Sequence, residues 1–170
     1  AERDLAQVRA AACDYLTGDT AQARRQLQGL SPSHPEADAE RLYYIVECAR
    51  RMGTDSEMLD AIQRLAASHP RSPWRLKALI SAGNRYLLVN DAKNYLPLFT
   101  AAYESFPADP QAPYAHWKVA WQAYISRKPD AGEHMRRHLS MFSLHPSAGG
   151  ALYFLGRLAE EKRQWGDARA

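Results

Sequence analysis

Apolar residues recur three and four apart along this chain in short blocks, with polar residues filling the positions between. Met58/Leu59, Ile62 and Leu65/Ala66 form one stripe; Tyr95, Phe99, Ala102/Tyr103 and Phe106 form another. Leu42, Ile45/Val46, Ala49 and Met52 repeat the pattern, as do Tyr114, Trp117, Trp121 and Tyr124, and then Ala151/Leu152, Leu155 and Leu158/Ala159. This spacing predicts amphipathic helices. No block alternates with period two and no Asn-Gly hairpin interrupts the blocks, so strands are not expected.

Two kinds of break alternate between the blocks. Tight turns stand at 17–20 (TGDT), 53–56 (GTDS), 90–91 (ND) and 128–132 (KPDAG). Gly18 and Gly53 suit the left-handed conformation past a helix end. Thr54 with Glu57, and Asp130 with Glu133, read as capping boxes for the next helix. The second kind is an aromatic-proline step: His34-Pro35, His69-Pro70, Phe106-Pro107 and His145-Pro146. Proline lacks an N–H and disfavours helix in the residue before it, so each step is expected to stop one helix and enter the first turn of the next. His34, His69 and His145 are accordingly read as packing residues. Pro97 predicts a kink or a late helix start at Asn94.

Turns and proline steps share a period of roughly 37 residues, the length of a helix–turn–helix unit. The repeats run about 1–34, 35–70, 71–107 and 108–146, with a truncated copy at 147–170. The prediction is all-α: one domain over 1–170, a right-handed α–α superhelix of about nine to ten helices.

Composition narrows the function. With 46% hydrophobic and 24% charged residues in 170, the chain is expected to fold. A net charge of +3 is too weak to argue for nucleic acid. The arginine doublets Arg24-Arg25, Arg50-Arg51 and Arg136-Arg137 are scattered and read as solvated faces. No apolar run approaches the ~18 residues of a membrane span. The first residues do not read as a secretory signal, and both ends read as those of a fragment. Cys13 and Cys48 lack zinc spacing and are expected as two buried free thiols.

The last repeat, ALYFLGRLAEEKRQWGDARA, resembles the tetratricopeptide pattern through Leu152, Leu155-Gly156, Trp165 and Ala168; Gly83 and Tyr86 echo it earlier. With the irregular repeats and the aromatic-proline separators, the chain also resembles the non-catalytic helical region of soluble lytic murein transglycosylases. That resemblance implies a periplasmic setting, a role in shaping access to cell-wall glycan or partner proteins, and a catalytic domain beyond the C-terminus. The family's catalytic Glu-Ser step is matched only by Glu104-Ser105, at a repeat end with no Gly-Leu-Met-Gln segment after it, and reads as chance. The alternative is a free-standing tetratricopeptide adaptor that grips a peptide along its groove.

Little points to chemistry. The acids sit mostly at caps and on polar faces, and no pair suggests glycoside cleavage. His134 and His138 are four apart, but two arginines lie between them and they read as a solvated face. No phosphate loop, metal set or activated nucleophile is apparent, and no cofactor is expected. The candidate binding residues are aromatic and basic positions on first helices of pairs: Tyr43, Arg50, Arg85, Trp117, Lys118, Trp121 and Arg157. Their expected ligand is a protein or peptide, or peptidoglycan. Membrane and nucleic-acid partners are not expected, and the oligomeric state is left open.

Overall fold

The sequence breaks separate nine helices among the described residues, 1–161 and 163, of a computed structural model. They are α1 (Glu2–Thr17), α2 (Thr20–Gly29), α3 (Pro35–Met52), α4 (Asp55–Ser68), α5 (Pro73–Leu88), α6 (Ala92–Ser105), α7 (Ala112–Ile125), α8 (Ala131–Phe142) and α9 (Ser147–Glu161). No strand occurs among the described residues. The expected Trp165 and Ala168 lie outside them.

Local chemistry explains the boundaries. Gly18 (φ 106°) and Gly53 (φ 76°) take the left-handed conformation and close α1 and α3. Asp19 accepts a hydrogen bond from the Gln22 N–H at 3.0 Å and starts α2. Pro35 is the first residue of α3, as expected. Pro70 and Pro107 differ from the expectation: both lie in connections, and Pro73 and Pro113 enter the next helices instead. Ser72 explains the first shift. Its side chain caps the Trp74 N–H at 3.2 Å, which makes Ser72-Pro73 the better helix start.

The two expected capping boxes do not form. Thr54 Oγ1 donates to Glu57 Oε2 at 3.2 Å and makes no side-chain cap hydrogen bond to the helix. Asp130 makes no cap hydrogen bond and instead approaches His134 Nε2 at 3.5 Å. Helix α6 begins at Ala92, ahead of Asn94, and continues through Pro97. Asp91 helps that early start by accepting from the Asn94 N–H at 3.2 Å.

The helices belong to two compact units, one ending at Leu98 and the other beginning at Phe99. In the first, α1 packs on α2 and α3, and α3 packs on α4 and α5. Its core includes Val8, Leu27, Leu42, Val46, Met58 and Leu65, all essentially without solvent exposure. In the second, α7 packs on α8 and α9, and α8 on α9. Ala120, Met135 and Ala151 are its buried centre, enclosed by Trp117, Tyr124, Leu139, Phe154 and Leu155.

Both cysteines are free thiols. Cys48 is buried, and burial pushes its thiol up to about 11. Cys13, expected inside, is exposed. It sits beyond the buried stripe Val8, Ala11, Ala12 and Tyr15 of α1.

Candidate binding surface

In the first unit the first helices of each pair, α1, α3 and α5, lie side by side. Charged and aromatic residues link them. Arg9 on α1 donates to Glu40 on α3 at 3.2 Å; the carboxylate is 4% exposed and the arginine side chain 62%. Tyr15 donates its hydroxyl to Glu47 Oε2 at 2.9 Å. Arg50 donates to that same oxygen at 2.8 Å, and Ser81 on α5 donates to the other. Burial alone would raise the Glu47 pKa. The Arg50 and Ser81 hydrogen bonds outweigh it and hold the carboxyl below its ordinary value. Glu47 therefore ties three helices together as an anion.

An aromatic row lies over this network. Tyr43 meets Trp74 with ring centroids 5.2 Å apart and Tyr44 at 5.1 Å; Tyr44 meets Tyr15 at 5.9 Å. Burial, with Glu47 adding to it, pushes the Tyr43 hydroxyl up to about 12. Trp74 donates its indole N–H to Glu36 Oε1 at 2.8 Å, and the Lys77 ammonium stands 4.1 Å from its ring centre. Tyr43, Tyr44 and Trp74 are half-buried, with Arg9, Glu36 and Lys77 exposed around them.

The second unit holds its own aromatic cluster. Trp117, Trp121 and Tyr124 follow one another along α7 at centroid distances of 6.1 and 5.6 Å. Phe154 of α9 closes on Trp121 at 4.8 Å and on Tyr124 at 4.6 Å. These rings mostly make the contact between helices. Gly150 gives Trp117 its room: a Cβ there would stand 3.1 Å from the indole edge.

His138 corrects the reading of a solvated histidine face. It is fully buried and stacked on buried His116, with centroids 5.1 Å apart. His134 stays at the surface beside Asp130. The signal for His138 was present: Met135, His138, Leu139 and Phe142 have the i, i+3, i+4, i+7 spacing of a buried stripe. No group of three or more His, Cys, Asp or Glu side chains able to hold a metal occurs among the described residues. No described helix is long and apolar enough to cross a membrane.

No protein-family model matches the chain, and no curated protein matches it significantly. Solved structures do match in fold. MamA of AMB-1 superposes with a TM-score of 0.58 at 15% identity, over 98% of this chain and 86% of that one. A putative kinesin light chain of Podosopora anserina, described as having nearly identical TPR-like repeats, gives 0.56 at 14% identity, over 96% and 89%. PilF of Pseudomonas aeruginosa gives 0.55 at 16% identity, over 99% and 72%. The fold is tetratricopeptide-like.

In a tetratricopeptide-like frame, Tyr43, Arg50 and Arg85 fall on first helices of the first unit, and Trp117, Lys118, Trp121 and Arg157 on those of the second. Tyr43 and Arg50 join the aromatic and Glu47 networks described above. Arg85 instead reaches Asp55 at 3.1 Å. Lys118 stands 4.9 Å from the Tyr114 ring centre, and Arg157 pairs with Glu160 at 2.8 Å. Of the repeat-signature residues, Gly83 and Tyr86 are buried, Leu155 and Gly156 half-buried, and Leu152 exposed. Reading the sequence missed Tyr44, Trp74, Glu40 and Glu47. Trp74 directly after Pro73 opens a first helix, which is the signal that could have placed it there.

Proposed function

We propose that this chain is a non-catalytic protein-binding scaffold that holds an extended segment of a partner across α1, α3 and α5. The half-buried row Tyr43, Tyr44 and Trp74, rimmed by Arg9, Glu36 and Lys77, carries this reading. Rigid aromatic rings with polar tips beside charges of both signs are the composition of binding hot spots. Packed helices lie ~8–10 Å apart and an extended chain advances ~3.3 Å per residue, so about five or six partner residues span the row. For a peptide that binds here, Trp74→Ala is expected to weaken affinity by at least tenfold, measured by calorimetry, because such anchors contribute about 2 kcal/mol or more. An unchanged affinity removes the row from the site.

The likeness of the segment at 151–170, of the irregular repeats and of the aromatic-proline separators to soluble lytic murein transglycosylases supports a narrower second reading. In it the scaffold belongs to a periplasmic peptidoglycan-processing enzyme and positions glycan strands or partner proteins. Soluble peptidoglycan fragments titrated into the chain then bind saturably at the same row. Absence of saturation leaves the protein partner alone. In either reading, purified cell wall incubated with this chain releases no anhydro-sugar.

A further inference from the structure

Three histidines and a serine form a hydrogen-bonded chain inside the second unit, independent of the proposed binding row. His116 Nδ1 lies 3.0 Å from His138 Nδ1. His138 Nε2 lies 2.7 Å from Ser147 Oγ, and Ser147 Oγ lies 2.7 Å from His145 Nδ1. The hydrogen-bond pattern assigns the protons. The Ser147 backbone N–H donates to His145 Nδ1 at 3.3 Å, so that nitrogen is an acceptor. The Ser147 hydroxyl therefore donates to His145 and accepts from His138 Nε2–H. His138 Nδ1 is left bare and accepts from His116 Nδ1–H. His116 Nε2 ends the chain buried and without any partner.

Each contact holds one hydrogen, so an added proton ends on the bare His116 Nε2, which is buried and has no acceptor to receive its N–H. Protonating His138 sets N–H against N–H across 3.0 Å, or drives His116 to carry its proton on the buried, partnerless Nε2. Protonating His116 puts a buried cation against the Tyr103 and Phe142 rings. The surrounding charges also oppose it. Arg137 and His134 on α8 face His116, and His145 faces His138. Ser147 opens α9, whose N-terminus carries partial positive charge. Glu104, the carboxylate on the adjoining α6, is engaged with Arg137 at 4.0 Å. Asp130 serves His134, and Lys118 lies over Tyr114.

We propose that this histidine–serine chain is an acid-sensitive latch that holds α7, α8 and the start of α9 together at neutral pH and releases them in mild acid. Burial, followed by His138 and then Arg137, drives His116 down to about 3, and burial, then His145, drives His138 down to about 4, both from an ordinary 6.5. The sign follows. Below about 6.5 the opened unit takes up protons that the folded unit refuses, so the folded form loses ground continuously as pH falls toward 4.

The test follows the Trp117 and Trp74 indole NMR signals from pH 7.5 to 4. The expected result is loss of the native Trp117 signal with a midpoint between pH 6 and 4, while Trp74 keeps its own. The double variant His116→Phe/His138→Leu is expected to move that midpoint down by at least one pH unit. An unchanged midpoint in the variant means that carboxylates drive the transition and overturns the proposal. If the variant fails to fold, imidazole NMR of the native chain decides. Both rings are expected neutral in the folded signal set down to the transition; independent titration of each near pH 6.5 without loss of structure contradicts the latch.

Discussion

Glu47→Ala is expected to destabilise the first unit by about 2–4 kcal/mol, read as a lower denaturant midpoint. The carboxylate lies among Tyr15, Arg50 and Ser81, and its removal leaves the buried Tyr15 hydroxyl without its acceptor. An orphaned buried polar group costs about 1–3 kcal/mol, and a small cavity adds to it. Arg50, about a third exposed, recovers part of its loss in water. Replacing the donor as well separates these terms: Glu47→Leu with Tyr15→Phe is expected to recover most of the stability, since apolar groups of similar shape can replace a buried polar pair. The contribution also depends on pH. Because the folded carboxyl titrates below its ordinary 4.5, Glu47 stabilises the unit above that value and loses its contribution as pH falls through the lower folded value.

Trp117→Ala is expected to cost the second unit about 3 kcal/mol, toward the lower end of the ~3–5 typical for a buried aromatic because the indole is only half-buried. The ring touches Trp121, His138, Phe154 and the space left by Gly150. Its loss also opens one wall of the histidine pocket to water. His138 is therefore expected to titrate closer to 6.5 in the variant, observable in its imidazole shifts. Lower stability with an unmoved His138 would show that Trp117 packs the unit but does not seal the pocket.

Helix pairing was legible because it is written in local chemistry. Apolar spacing gave the helices, and the left-handed Gly18 and Gly53 gave two of their ends. The proline steps were half legible: Pro35 entered its helix, whereas Ser72-Pro73 took that role from Pro70. Propensity marks a break but does not choose among neighbouring residues able to start the next helix. The box at Thr54 failed because the Glu57 carboxylate is drawn to Arg24 and Gln28 on α2, partners on another helix that local spacing does not show. Glu40 and Glu47 were invisible as buried groups because a charged residue beside an apolar stripe reads as solvated until its partners on other helices are known. His138 fell to the same assumption, although its spacing from Met135 placed it inside. The aromatic row was seen only at Tyr43, since Tyr44 and Trp74 join it through packing between α1, α3 and α5.

The scaffold reading rests on which face of the first unit takes a ligand. The most direct measurement selects the tightest peptide from a displayed random library and maps its site by NMR chemical-shift changes on the whole chain. The changes are expected to centre on Arg9, Tyr43, Tyr44, Trp74 and Lys77. Changes centred on the second helices, at Gln28, Asp60 and Arg64, or a library that yields no saturable binder, would contradict that reading.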